Sequence, residues 1–574
     1  MAYKDLHEFV AALERAGELV RIKAPVDPSL ELSEIAARVM KQPATCAREP
    51  DAGPKQDPVN GVFGGKALLF ENVRGHDMPV LINAYGSYRR MCMALGCDDF
   101  DSLAARVNEL VQPQIPAGLF AKIKKLPELM HLASLVPKIR GRQGRFSDPC
   151  PCQQIVQTDE ADLTRLPVIQ CWPDDGKDNP ALPHARRYIT MGCVVTEQPK
   201  RGMGVSPMCG TGILPVSSSS SSSSVSSLAE QQQQQQRQGR DGPGTHGQDA
   251  HATGARNVGI YRVQLLGAKR AAMHIHPPHD GAANWRAWKD LGKPMPAAIV
   301  LGGEPAIAYA ASAPLPPGMD ELILAGFLQG QAIELAPCKT IDLAVPANAE
   351  IVIEGLVAHD ELVTEGPFGD HTGFYSPAGP FPVFTVTAIT RRRDAIYPTT
   401  VVGYPPMEDY YMGKATERIF LPVLRMLCPE VVDYDLPMFG AFHNFVFVQI
   451  RKQYANQARR VMHALWGAGQ LAFSKFIVVV DENVNVHDPN DVWFAVGANV
   501  DPSRDIEHAS GPLDILDHAA PDIGSGGKLG IDATRKLPGE GPPRDWPEPL
   551  KMSQEIRDLV DKKWKEYGIG ETGS

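Results

Sequence analysis

Glu365-Gly-Pro-Phe-Gly-Asp370-His371-Thr-Gly-Phe-Tyr375 sets two carboxylates five residues apart around a Gly-Pro-x-Gly bend. Gly366 and Gly369 allow a tight backbone turn and Pro367 stiffens it, so both acids can be held near one spot without a long flexible loop. Two carboxylates in a confined site push their pKa values apart: one can give up a proton while the other stays charged. Taken alone, such a pair also reads as a solvated surface turn. A second segment, Asn257-Val-Gly-Ile-Tyr-Arg262, tilts the reading toward chemistry. Its arginine is always charged and presents a rigid fork to a carboxylate. On a regular strand Asn257 and Arg262 point to opposite faces. If both serve one pocket, the chain must bend or bulge between them.

Around these two segments, from about 151 to 405, short β-rich runs alternate with Gly- and Pro-rich turns: Tyr188–Val195, Val258–Leu265, Ala298–Leu301, Ile351–Ile353, Phe384–Ile389 and Pro398–Val402. Such spacing predicts a barrel or a compact sheet. Residues 1–150 read as an α/β unit. It has amphipathic helices over 5–20 and Glu31–Lys41, strands Ala67–Phe70 and Val80–Ile82, and further helix to about residue 140. The basic residues near its end, Lys122, Lys124, Lys125, Lys138, Arg140 and Arg142, read as a solvated connector. Residues 406–574 form another α/β unit, with helices Gln457–Trp466 and Asn490–Asn499 and a buried strand Phe476–Val480. A final helix over Ser553–Tyr567 is a candidate to pack on a neighbouring subunit. The whole is α/β (α+β).

Between two of the β runs lies a segment, 198–255, with Ser217–Ser224 and Gln231–Gln236 among Gly, Pro and Asp. It lacks the apolar content for a core and is expected to be disordered. At a hairpin tip its length costs little, because closure entropy grows only logarithmically. Its Cys209, His246 and His251 are weak metal candidates.

The 574 residues carry 43% hydrophobic and 22% charged residues and a net charge of −10. That is the composition of a globular protein, without the basic face of a nucleic-acid binder. No apolar run approaches the roughly 18 residues of a membrane helix, and the polar N-terminus lacks a signal-peptide apolar region. Cytoplasmic residence is the expectation. The ten cysteines form no framework, and Cys150-Pro-Cys152 is too close for a zinc knuckle, so reduced, mostly buried thiols are expected.

In order along the chain, Arg187-Tyr-Ile-Thr190, Asn257–Arg262, His279-Asp-Gly-Ala282, Pro314–Glu321, Val345-Pro-Ala, Glu350–Gly355, Glu365–Tyr375, Phe381–Thr385, Lys452-Gln-Tyr454, Asp501–Arg504 and Asp532-Ala-Thr534 resemble the UbiD family of prenylated-flavin-dependent decarboxylases. Apart from the 198–255 insertion, the resemblance covers nearly the whole chain. It implies a split β-barrel flavin domain over 151–405 between an N-terminal domain, 1–150, and a C-terminal dimerisation domain, 406–574. It implies prenylated FMN, a divalent metal (Mn2+ or Mg2+, with K+ as a further candidate), a flavin prenyltransferase as cofactor supplier, and a homodimer or homohexamer.

By the same resemblance, Asn257, His279 and Glu321 stand at metal-ligand positions, where the ion bridges the protein to the flavin phosphate. An amide oxygen, an imidazole and a carboxylate suit a hard or borderline divalent ion. His276-Pro-Pro-His279 carries one residue more than is common in the family. His274 and His276 are therefore rival ligands, with His279 favoured because Asp280-Gly-Ala follows it. Ile260, Tyr261, Arg262, His274, Ile275, His276, Asp280 and Gly281 are the implied cofactor contacts. Asp280 stands where many relatives have arginine, and Lys414 is a candidate compensating charge for the phosphate. Arg262, Glu365 and Asp370 match the catalytic acid–arginine–acid set, with Asp370 as proton donor and Glu365 orienting Arg262. His371 and Tyr375 are candidate pocket residues.

The implied activity is non-oxidative, reversible decarboxylation of an aromatic or α,β-unsaturated acid. A polyprenyl-4-hydroxybenzoate of ubiquinone biosynthesis and a menaquinone-pathway acid are candidate substrates. A prenylated substrate would add peripheral contact with the inner membrane. Two rivals of other classes are a metal-dependent hydrolase using Glu321 and His279, and a non-catalytic scaffold recruiting through the insertion.

Overall fold

The computed structural model describes residues 3–45, 61–111, 134–140, 150–182, 184–200, 256–541, 545–548, 550 and 552–568. Lys122, Lys124, Lys125, Arg142 and nearly all of the 198–255 insertion, with its cysteine and histidines, lie outside them.

A single curled sheet organises the molecule. Its main path runs Tyr188–Ile189, Val263–Leu265, Arg270–Met273, Gly379–Arg391, Ile351–Glu365, Met295–Leu301, Cys193–Glu197, Arg256–Ile260, with every neighbouring pair antiparallel. The last strand of this path ends at Ile260 and the second begins at Val263. Two residues, Tyr261 and Arg262, therefore join opposite ends of the sheet, and the sheet has to curl to let them. This is the bend the sequence demanded: the expected strand Val258–Leu265 is two strands broken at a seam. The expected strand Tyr188–Val195 is likewise two strands, Tyr188–Ile189 and Cys193–Glu197. Cys193–Glu197 and Arg256–Ile260 pair from Cys193↔Ile260 to Glu197↔Arg256, so the insertion stands at a hairpin tip.

The central strands read as unbroken apolar runs because both their faces are covered. Along Met295–Leu301, Ala298 and Val300 enter one core with Leu6, Phe9 and Tyr309. Ala297, Ile299 and Leu301 enter a second core with Tyr188, Phe384 and Tyr397. The period-2 alternation survives as a choice between two cores instead of between core and water.

The N-terminal helix Leu6–Arg15 is capped by the Asp5 carboxylate, which accepts from the Glu8 N–H, and it buries Leu6, Phe9, Val10 and Leu13. Its neighbouring sheet, Leu19–Ile22, Ala67–Phe70 and Val80–Ile82, is completed by Tyr397–Thr399, a strand from far along the chain. The helix Glu408–Leu427 follows, and the Glu408 carboxylate accepts the backbone N–H groups of Asn83 and Tyr85. Beyond it a five-stranded sheet, ordered Val431–Asp435, Phe445–Ile450, Phe476–Asp481, Ser525–Asp532, Ile506–Pro512, forms the C-terminal unit. The tail helix Gln554–Lys563 buries none of its residues.

Candidate active site

The quoted stretch begins where the strand Ile351–Glu365 ends. Gly366 has φ +94°, a conformation that costs an L side chain strain, and it turns the chain out of the strand. Phe368–Gly369 then pairs with Tyr375–Ser376. Gly369 is packed so closely on Trp172 that an added Cβ would sit 2.1 Å from the indole. A buried carboxylate ties the loop down: Asp175 accepts the N–H of Gly369 at 2.8 Å, of Trp172 at 2.8 Å and of Cys171 at 3.1 Å. Burial pushes Asp175 up to about 7 against these hydrogen bonds.

The loop faces Arg262 at the seam. The Nε and Nη2 of Arg262 donate to Glu365 at 2.9 and 3.1 Å, Nη1 donates to Asp370 at 2.5 Å, and Nη2 also donates to Ser376 Oγ at 2.9 Å. The guanidinium lies 4.8 Å from the centre of the Phe368 ring. Glu365 is fully buried and takes a further hydrogen bond from His274 Nδ1 at 2.7 Å. Burial raises the Glu365 carboxyl, but the Arg262 charge and His274 outweigh it and hold it at about 2. Burial likewise opposes ionisation of Asp370, and His371 and Arg262 outweigh it, so Asp370 is held well below the ordinary range. In this arrangement both acids are carboxylates. Arginine-bound acids of this kind orient a cation and stabilise charge.

His371 lies against Asp370, with its Nδ1 3.0 Å and its backbone N–H 2.8 Å from Asp370 Oδ1. His371 thus stands in the acid set. Tyr375 does not line it: the residue is 41% exposed and its hydroxyl accepts the Asp174 N–H at the surface. Lys414 is also displaced from the expected role. Its ammonium is buried in the helix Glu408–Leu427 between Glu417, at 2.9 Å, and Asp435, so its charge is already matched.

The metal and cofactor candidates gather on the other side of the seam, around Tyr261. The amide Nδ2 of Asn257 lies 3.4 Å from the Tyr261 hydroxyl, and the ring centroids of His279 and Tyr261 are 6.1 Å apart. Glu321 Oε2 accepts the N–H of Val258, the residue after Asn257, at 2.8 Å. Burial raises Glu321 to about 7 and depresses His279, which keeps that imidazole neutral. A neutral imidazole, a buried carboxylate short of charged partners and an amide are a donor set that fits a divalent cation. Asp280 and Gly281 open the helix Asp280–Asp290, with His279 at its N-cap position and no side chain capping it. Such an end suits a phosphate. Gly281 is needed there, because a Cβ would come 2.6 Å from the Tyr261 hydroxyl. Ile260 ends its strand half-buried, and Ile275 is buried beside the pair His274 and His276, whose Nε2 atoms are in hydrogen-bond contact. His274 therefore bridges Glu365 and His276, a position between the two halves of the site.

Known families match this architecture in three consecutive blocks. Residues 10–110 match the N-terminal domain of 3-octaprenyl-4-hydroxybenzoate carboxy-lyase, 145–212 and 244–405 its Rift-related domain, and 410–533 its C-terminal domain. The chain belongs to the UbiD family. Uncharacterised proteins of Aquifex aeolicus and Archaeoglobus fulgidus are 42% and 40% identical over 568 and 569 residues, 99% of each chain. The vanillic acid decarboxylase of Sedimentibacter hydroxybenzoicus in its closed form has the same fold, with a TM-score of 0.74 at 23% identity over 99% of this chain and 100% of that one. The UbiD-class enzyme HmfF of Pelotomaculum thermopropionicum, solved with FMN, has a TM-score of 0.67 at 25% identity over 97% and 99%. This UbiD chain is a decarboxylase by family, and the hydrolase and scaffold readings are set aside.

Reading the sequence missed four parts of the site: Ser376, the Glu365 bond of His274, the Asp175 anchor, and the contact of His443, in the C-terminal unit, with His371 at 2.8 Å. Ser376 directly follows the quoted stretch and was open to notice. No local pattern marks the others.

Proposed function

We propose that this UbiD protein decarboxylates an aromatic or α,β-unsaturated carboxylic acid with prenylated FMN and a divalent metal, reversibly at high CO2. The observation that carries the reading is the buried Arg262 held between Glu365 and Asp370 across the seam from Asn257, His279 and Glu321. Asn257, His279 and Glu321 would hold the metal. Ile260, Tyr261, Ile275, His276 and the backbone of Asp280 and Gly281 would hold the flavin. When bound, prenylated FMN supplies an electron sink for the pair left behind as CO2 departs.

The chain's own residues orient the substrate, exclude water and deliver a proton. Four hydrogen bonds of Arg262 go to Glu365, Asp370 and Ser376. Of its five N–H groups, the one that remains is on Nη1, so Arg262 would hold a substrate carboxylate by a single bond beside Asp370. Glu365 keeps the guanidinium in plane, and Asp370 passes a proton to the carbon that has lost CO2. The site is buried, which strengthens each of these interactions.

The test is CO2 release by protein co-produced with a flavin prenyltransferase and supplied with Mn2+, against a panel of hydroxybenzoates, prenylated hydroxybenzoates, menaquinone-type bicyclic acids and acrylic acids. Release from one class is expected. A flavin-loaded, coloured protein that releases CO2 from none of them would overturn the reading.

A further inference from the structure

The proposed chemistry leaves one question open on its own terms. Asp370 has to give up a proton, yet Arg262 and His371 hold it as a carboxylate. The loop Met438–Asn444 of the C-terminal unit bears on this. Ala441 and Phe442 have φ of +45° and +51°, two successive non-glycine residues in the left-handed region. Backbone in that region is retained where surrounding packing over-determines it, commonly at functional sites.

Here the strained turn delivers two side chains to His371 at once. The Phe442 ring stacks on the imidazole, with centroids 5.1 Å apart and planes 18° apart. His443 Nε2 meets His371 Nε2 at 2.8 Å. Gly413, in the helix Glu408–Leu427, makes room for this: a Cβ there would lie 3.1 Å from Phe442 Cβ. Among the described residues His443 Nδ1 is buried with no hydrogen-bond partner. The acids facing the pair are Asp370 on its own loop, Asp409 on the helix, and Asp514 and Asp517 of the C-terminal unit, Asp517 being paired with Lys475.

We propose that His371 stores the proton that Asp370 delivers, and that His443 is the positioning residue that fixes His371 in the tautomer able to give it. This rests on the decarboxylase reading above.

The step balances. The Nδ1–H bond of the His371 imidazolium breaks, the electron pair stays on Nδ1, and the proton bonds to Asp370 Oδ1. His371 is left as the neutral Nε2–H form, whose N–H donates to the bare Nε2 of His443. Asp370 returns to carboxylate when it passes the proton to carbon. One proton from solvent then recharges His371, the proton that loss of CO2 from a carboxylate consumes. The electrostatics set the resting state, in which the proton sits on His371 and Asp370 is a carboxylate. Burial opposes the His371 charge, but the Asp370 hydrogen bond and charge, with Asp409 and Asp514, raise His371 to about 9. Burial and the His371 charge depress His443 to about 4, so His443 stays the neutral acceptor.

The experiment reads imidazole titration by NMR on the full chain labelled at histidine, with His371→Gln and His443→Phe assigning the signals, beside the pH profile of kcat in the loaded enzyme. His371 is expected to titrate near 9. His443→Phe keeps a ring but removes the acceptor. It is expected to lower the His371 titration by about one pH unit and to move the alkaline limb of kcat by the same amount, with KM within about twofold. His443→Gln, which restores an acceptor, is expected to recover most of both shifts. A wild-type His371 titrating near 6.5 overturns the proposal. So does a His443→Phe enzyme whose alkaline limb does not move, or a His443→Gln enzyme as impaired as His443→Phe. Because titration is read without turnover, its result stands apart from the substrate test: a His371 near 9 in a protein that decarboxylates no acid faults the assigned function and leaves the proton store.

Discussion

Two of the buried ionic networks among the described residues, one around Lys414 and one around Arg262, are built on different terms. Around Lys414, three cations meet three anions. Lys414 pairs with Glu417 and Asp435, Arg418 with Glu417 and Asp433, and His487 with Asp433 and Asp435. It borders a cavity of about 500 Å3 whose wall includes Arg418, Asp433 and His487. Oxygen and nitrogen atoms of Glu417, Asp435 and His487 even come within 4.8 Å of one another. Yet Lys414 already lies against both acids, and each charge has its partner. Around Arg262 the ledger is different. Two acids hold a single guanidinium between them, the loop that carries them needs a left-handed glycine, and, among the described residues, an imidazole of the C-terminal unit is left with an unpartnered nitrogen. The lesson is that burial of charge alone does not mark chemistry. A full complement of partners marks a scaffold, and partners withheld at the edge of a network mark a place for something else to bind or react.

The largest expected effect breaks the symmetry between the two. Asp370→Asn keeps the shape and most hydrogen bonds of the site but carries no proton to give. It is expected to lower kcat by about 10³–10⁴-fold in the loaded enzyme, with flavin content unchanged by absorbance. Retained turnover would mean that Asp370 is as structural as Asp435. Next comes Lys414→Met, which removes the cation shared by the buried Glu417 and Asp435 and leaves Glu417 paired with Arg418 and Asp435 with His487. It is expected to cost about 3–5 kcal/mol in chemical unfolding, while kcat per folded molecule stays within about twofold. A large fall in kcat at unchanged stability would move the Lys414 network into the catalytic machinery.

Much of this contrast was written in local sequence. The Glu365–Tyr375 bend and the Arg262 segment are short-range patterns of glycine, charge and apolar spacing, and the strand runs that flank them fall where expected, except that Tyr188–Val195 and Val258–Leu265 are each split in two. The seam is legible as a demand, because Asn257 and Arg262 cannot share a face of one strand. Its solution is a matter of topology: Ile260 and Val263 belong to opposite ends of one sheet, and no local period encodes which strands meet. The central strands were found too short, since Ile351–Glu365 carries polar residues in its outer half that interrupt the apolar run. Tyr397–Thr399 completes a sheet more than three hundred residues away in sequence, which local reading could not supply. Lys414 was misplaced for the same reason. Its partner Asp435 lies on a separate strand, so only the fold shows that its charge is spoken for.

The smallest effect separates the two networks by pH. His371 and His487 are both raised to about 9, each against the cost of burial, His371 by Asp370 and His487 by Asp433 and Asp435. In each case the folded pKa exceeds the ordinary 6.5, so the folded state holds the proton more tightly. The stability this contributes is fully present below pH 6.5 and is lost as pH rises through about 9. It is worth at most about 3 kcal/mol per group. His487→Gln is therefore expected to flatten part of the fall in stability between pH 6.5 and 9, read by denaturant unfolding of the full chain, while the alkaline limb of kcat stays in place. His371→Gln is expected to flatten stability similarly and to remove the alkaline limb as well. If the two variants changed kcat alike, the charge on His371 would have no special bearing on turnover, and the two networks would be of one kind. If they part company, the same proton, bound with similar strength by similar carboxylates, is structural in one place and spent in the other, and the difference lies in whether its acceptor faces another fixed charge or the reacting carbon.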